Sequence, residues 1–190
     1  RSLQATEDEL AAQARLTRDL QDDLLRTRMV EFESMADRLY RVARQAAKES
    51  GKQVRLDIVG GSIEVDRGVL ERMTGPFEHL LRNAITHGLE DRDGRLGAGK
   101  AEIGEIRLTL RQEGNEVAIE LADDGAGLDY ERIRSKAVEQ GLLAADQFPD
   151  PAALTEFIFH AGFSTARELT ELAGRGVGMD VVKSETAQLG

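Results

Sequence analysis

Apolar residues recur along this chain with more than one period. Between Ser2 and Met29, Leu3, Leu10 and Leu24 keep a seven-residue spacing, with Leu20 on the same side. The segment is rich in Ala, Leu, Glu, Gln and Arg, all good helix formers. Thr6, Gln13 and Thr17 interrupt the seam. The pattern predicts a long amphipathic helix. A second helix as its partner and a solvated helix packed on its own domain fit it equally well. The period breaks from Met29 to Glu33. Ser34 with Asp37 marks a new helix start, Met35, Leu39, Val42 and Ala46 form its stripe, and Gly51 sits where a C-cap belongs.

The period then shortens to two. Val54, Leu56 and Ile58 predict a strand, Gly60-Gly61 a turn, and Ile63 and Val65 a short returning strand. Asp66 suits the N-cap of a further helix carrying Leu70, Met73, Phe77, Leu80, Leu81, Ala84 and Ile85. Gly75-Pro76 should kink or restart that helix, and His87-Gly88 should end it. Residues 88–105 hold five glycines among several charges and read as a mobile loop. Ile106, Leu108 and Leu110, then Val117, Ile119 and Leu121, alternate around Glu113-Gly114-Asn115, which predicts an antiparallel hairpin. Helices are expected at about 130–140, 151–160 and 179–189. There are no internal repeats.

Composition narrows the class. The formal charge of −10 argues against a general nucleic-acid binder, which needs a basic face. Without Cys there are no disulfides or thiolate metal sites, which fits the cytoplasm. No apolar run reaches the length of a membrane span, so no direct membrane insertion is expected. The chain starts without Met and reads as a fragment of something longer.

Four polar clusters carry candidate chemistry. His79, Asn83 and His87 stand four apart on one helix face. An Asn carbonyl suits Mg²⁺, and a neighbouring His can add a ligand or a donor to phosphate. Alone, the trio is better explained as surface residues near a helix end. Asp123-Asp124-Gly125-Ala126-Gly127 follows the hairpin. Its first carboxylate can accept from an adenine amino group, and Gly125 and Gly127 let backbone approach a flat ring. Alone it is an ordinary turn. Gly162-Phe163-Ser164-Thr165 suits a closing flap, but alone it is better explained as a buried Phe at a helix–loop junction. Gly174-Arg175-Gly176-Val177-Gly178 opens the helix that begins at Met179. Its bare backbone and the helix dipole suit phosphate. Each signal is weak singly, and their order raises their specificity.

With these pieces in place the chain resembles the ATP-binding domain of the chemotaxis-type histidine kinases, the CheA family. That domain belongs to the wider group shared with gyrase, Hsp90 and MutL. His79 to Glu90 resembles the N box, Asp123 to Gly127 the G1 box, Phe157 to Thr165 the F box, and Gly174 to Val182 the G2 box. Asp19 to Val30 resembles the end of the dimerisation helix. The resemblance implies an α/β (α+β) fold, a two-layer Bergerat-type sandwich with a mixed, mostly antiparallel sheet and helices on one face. A dimerisation segment at 1–30 would precede the ATP-binding domain at 31–190, with two C-terminal strands absent. It implies that Asn83 ligates Mg²⁺ with His79 beside it, and that His87 faces the triphosphate. Asp123 would hold the adenine amino group, with Gly125 and Gly127 along the base. Lys136 would reach phosphate. Ser164 and Thr165 would sit in the flap, and Gly174, Arg175, Gly176, Val177, Gly178 and Met179 would wrap the triphosphate of ATP.

The implied reaction is transfer of the γ-phosphoryl to a His on a separate phosphotransfer domain. The implied partners are a response regulator, a chemoreceptor, a coupling protein and a second copy of the chain. Position 79 holds His where gyrase, Hsp90 and MutL place a water-activating Glu. Glu78 lies about 100° round the helix and is poorly placed to substitute. That argues against an ATPase of the gyrase–Hsp90 kind. Thr86 stands where the family usually has Asp, which leaves room for a nucleotide-binding scaffold with a weakened site.

Overall fold

The computed structural model describes residues 2–160 and Phe163. Helix α1 (Ser2–Arg28) runs into strand β1 (Met29–Glu31), a 3₁₀ turn (Phe32–Met35) and α2 (Ala36–Ser50). Strands β2 (Val54–Val59) and β3 (Glu64–Asp66) follow, then α3 (Arg67–Asn83), ending in a π-turn (Ala84–Gly88). Next come α4 (Arg92–Gly97), β4 (Gly104–Glu113), β5 (Glu116–Asp123), α5 (Tyr130–Glu139), α6 (Pro151–Glu156) and a 3₁₀ turn (Phe157–Phe159).

The main sheet has the order β2-β4-β5. It is mixed: β2 and β4 are parallel, with Val54 opposite Gly104, and β4 and β5 form the antiparallel hairpin, with Leu108 opposite Leu121. Strand β4 alternates strictly at its start, so Ile106, Leu108 and Leu110 face inward. They meet Leu39, Ala43 and Ala46 of α2 and Met73, Phe77 and Leu81 of α3 in one core cluster. This is an α/β sandwich with helices laid on a mixed sheet. Asp66 caps α3 by accepting from Val69 N–H at 3.1 Å. Gly51, at φ 65°, ends α2 in the left-handed conformation that favours Gly.

Three expectations need correction. The short strand β3 does not return onto β2. It pairs antiparallel with β1, Val30 opposite Val65, which buries Val65 and lets Phe32 enter the core. Of the kink or restart expected at Gly75-Pro76, the restart does not occur: α3 runs through it. Leu70 and Met73 before the proline, and Phe77 and Leu81 after it, are all buried in the same core, and that packing outweighs the missing N–H. Residues 88–105 are not a loose loop. They include α4 and fold around the Arg95 side chain, which is 1% exposed.

Helix α1 contrasts with the rest. Leu10, Leu16, Leu20 and Leu24 are 56–63% exposed. A smaller second cluster joins Ile133 and Ala137 of α5 to Leu154 of α6 and to Phe163.

Candidate functional site

The C-terminal end of α3 carries the first group of polar residues. Asn83 Nδ2 lies 3.0 Å from His79 Nε2. With the amide donating, His79 is neutral and carries its proton on Nδ1. Its pKa agrees in direction: burial lowers it, and the positive charges of Arg82 and His87 add to that. The amide oxygen of Asn83 is then the atom turned to other uses. Past Asn83 the winding changes. Leu89 N–H donates to Ala84 O at 2.8 Å, five residues back, so His87 does not follow the strict four-residue line set by His79 and Asn83. His87 titrates below its ordinary value, first through lost solvation and then through the charges of Lys52 and Arg132.

Lys52 closes this helix end. Its ammonium donates to the carbonyls of Ile85, Thr86 and Leu89 at 2.9, 2.8 and 2.7 Å. Carbonyls at a helix C-terminus lack backbone partners and attract a cation. Burial lowers the Lys52 pKa, and Asp91 and Glu90 oppose that. Thr86 is exposed. Glu78 is occupied elsewhere, accepting from Arg38 Nε on α2.

The Asp123–Gly127 turn reaches the same place. Ala126 N–H donates to Gly88 O at 2.9 Å, tying the turn to the end of the Asn83 helix. A Cβ on Gly125 would lie 2.1 Å from Gly88 O. The space that Gly125 leaves is therefore taken by backbone of this chain, and its close approach is to Gly88. Gly127, at φ +76°, meets nothing within 4 Å of where its Cβ would be. The two adjacent aspartates differ. Asp123 is exposed, and its carboxylate accepts the local Gly125 N–H at 2.9 Å as its one side-chain bond among the described residues. Asp124 is gripped by Arg95, Nη1–Oδ1 3.1 Å and Nη2–Oδ2 2.7 Å, and accepts Glu105 N–H at 2.9 Å. Burial alone would raise the Asp124 carboxyl, but the hydrogen bonds of Arg95 and Glu105 and the charges of Arg95 and Lys100 hold it below its ordinary value.

Lys136 lies on α5 and pairs with Glu139 of the same helix at 3.1 Å. Arg132, one turn earlier, is the α5 residue whose charge is felt at His87. His160 stacks on Phe157 at 5.7 Å, and Phe163 is buried against the α5–α6 cluster. Ser164, Thr165, Gly174, Arg175, Gly176, Val177, Gly178 and Met179 lie outside the described residues. Among the described residues no group of three or more His, Asp or Glu could hold a metal ion.

Sequence reasoning missed Lys52, Arg95, Lys100 and Arg132. Only Arg132 had a local signal, its four-residue spacing from Lys136. Among the described residues no helix is long and apolar enough to cross a membrane.

Comparison with known proteins identifies the family. The family model for histidine kinase-, DNA gyrase B-, and HSP90-like ATPases matches residues 73–190. The chain is 43% identical over 175 residues to the chemotaxis protein CheA of Rhizobium meliloti, covering 92% of this chain and 23% of the relative. It is 43% identical over 176 residues to CheA of Klebsiella aerogenes, covering 93% of this chain and 27% of the relative. CheA of Bacillus subtilis is 42% identical over 178 residues, with 93% and 26% covered. The chain thus spans about a quarter of the length of these relatives. It belongs to the histidine kinase-, DNA gyrase B-, and HSP90-like ATPase family, within which it is of the CheA type.

Proposed function

We propose that this chain is the catalytic ATP-binding core of a chemotaxis-type histidine kinase, passing the γ-phosphoryl of ATP to a His on a separate phosphotransfer domain. One observation carries the reading. The exposed Asp123 carboxylate stands at the end of the helix bearing Asn83, with Gly88 tied directly to its turn. An acceptor for an adenine amino group and an oxygen ligand for a phosphate-bound ion thus occupy one end of the sandwich. Bound Mg²⁺ would neutralise charge on the phosphates. Asn83 would hold it through its amide oxygen, with His79 keeping the amide oriented. His87 and the basic face of α5, Arg132 and Lys136, would meet the triphosphate. The glycine segment Gly174–Gly178 would close over it, with Ser164 and Thr165 ahead of it. Catalysis would rest on positioning and electrostatics.

Transfer, not hydrolysis, fits position 79. A His that accepts from Asn83 and Glu78 bound to Arg38 leave no carboxylate placed to activate water among the described residues of this helix face. The exposed leucines of α1 support pairing with a second copy. A response regulator, chemoreceptor and coupling protein are proposed as partners on the strength of the relatives, and the cytoplasm as the compartment.

The test uses γ-labelled ATP, the full-length protein and its phosphotransfer domain. The expected product is phosphohistidine on that domain, and Asn83→Asp abolishes it. Release of free phosphate alone, or unchanged turnover in Asn83→Asp, rejects the reading.

A further inference from the structure

Among the described residues Arg95 is the buried charged side chain, and its hydrogen-bond partners are not among the candidate site residues. A buried guanidinium needs many acceptors, and this one has them. Besides both oxygens of Asp124 it reaches Glu90 Oε2 at 3.2 Å and the carbonyls of Ala101 and Ile103 at 2.7 and 3.3 Å. Lys100 works alongside it. Its ammonium pairs with Glu90 and donates to the carbonyls of Asp124 and Gly125, both at 2.9 Å. The two cations therefore hold the residues immediately after Asp123. From the other side, Gly88 O holds Ala126 N–H. Asp123 itself is left exposed.

We infer that Arg95, with Lys100, is a positioning residue for base recognition: by clamping Asp124 and Gly125 it immobilises the Asp123 carboxylate and so sets the preference of the site for a 6-amino purine over a 6-oxo purine. The inference rests on the reading of Asp123 as the adenine acceptor. Selectivity is a difference of two affinities. A fixed carboxylate accepts a hydrogen bond from a 6-amino group and repels a 6-oxo group. A carboxylate free to swing avoids the repulsion, so loosening the turn relaxes discrimination more than it weakens adenine binding. Guanidinium geometry matters here, because a planar fork fixes both oxygens of Asp124 where an ammonium fixes one.

The experiment is calorimetric titration of the full-length protein with Mg-ADP and Mg-IDP. Partial unfolding raises both apparent dissociation constants by the same factor, so their ratio separates positioning from stability. Arg95→Met is expected to reduce the IDP/ADP ratio by about tenfold, the scale of one charge-assisted hydrogen bond. Arg95→Lys restores only part of it. Lys100→Gln, at a half-exposed position, lowers it by a few-fold and serves where Arg95→Met does not fold. A wild-type ratio in folded Arg95→Met, or in Lys100→Gln if the first variant does not fold, overturns the inference. Asp123→Asn is the control. If it keeps the wild-type ratio, the adenine reading fails and the inference falls with it. If it abolishes the ratio while the clamp variants keep it, only the inference falls.

Discussion

Two polar regions meet at Gly88 and are held in opposite ways. The side chains of His79, Asn83 and His87 have among them one bond, Asn83 to His79, while Lys52 ties only the backbone carbonyls beyond them. The turn after β5 is held by a buried arginine, a lysine, the backbone of Gly88 and the backbone of Glu105. The difference shows in the neighbouring aspartates. Asp124 is an acid used for folding; Asp123 is an acid left over. A motif that looks uniform in sequence thus divides into structural and available parts, and only the available part can recognise a ligand.

The largest test of that contrast is steric. Gly125→Ala would set a methyl against Gly88 O, backbone that cannot swing away. It is expected to destabilise the fold by about 2–4 kcal/mol, while Asn83→Ala on the open face costs about 0.5–1 kcal/mol. Urea midpoints measure both, and equal losses would erase the distinction.

A middle-sized effect concerns Asp124. Asp124→Asn weakens the Arg95 fork and is expected to cost about 1–2 kcal/mol at pH 7, reduced from the fully buried case because the side chain is 43% exposed. Asp124 and Glu90 both titrate below their ordinary values of 3.8 and 4.5, Asp124 against its burial and Glu90 first through its bond from Lys100. Their contribution is complete above those ordinary values and is lost as pH falls through the lower folded ones. The gap between wild type and Asp124→Asn should therefore close as denaturation is repeated from pH 7 towards pH 3. A gap that persists in acid would show that charge is not what Arg95 holds.

The smallest effect belongs to the open face. His79 and His87 both titrate below 6.5, first through lost solvation. Above 6.5 this contribution is complete. As pH falls from there towards the folded pKa values the unfolded chain takes up protons first, and stability declines, only slightly because both rings remain partly exposed. NMR titration of the two rings should give midpoints below 6.5, and His79→Gln should flatten the decline. Midpoints above 6.5 would mean that anionic groups, and not solvation loss, govern this face.

Much of the sandwich was legible because periodicity reports burial. The stripe of α3, the alternation of β4 and the hairpin at Gly114-Asn115 all appear where pattern placed them. The three-residue strands β1 and β3 are too short to show alternation, so their pairing came only from the structure. That α3 continues past Pro76 was not legible, because local propensity says nothing of the packing on either side of it. Arg95 was illegible for a deeper reason. A charge among glycines reads as solvent-facing, and its partner Asp124 is brought to it by sheet topology alone. Lys52, a single cation after a helix-ending glycine, is hidden for the same reason. The glycine segment and Ser164 and Thr165 lie outside the described residues, while Phe163 is buried as its aromatic character at a helix end suggested.

The parallel pairing of β2 with β4 gives the molecule a kinetic character as well. Val54 can find Gly104 only by closing a crossover that contains α3 and its polar end. Such long-range closure is slow, because chain entropy is lost before contacts are gained. The helix and the hairpin are each local, but the end of one meets the turn of the other only when that crossover locks, so a substitution that delays it is expected to postpone their joining.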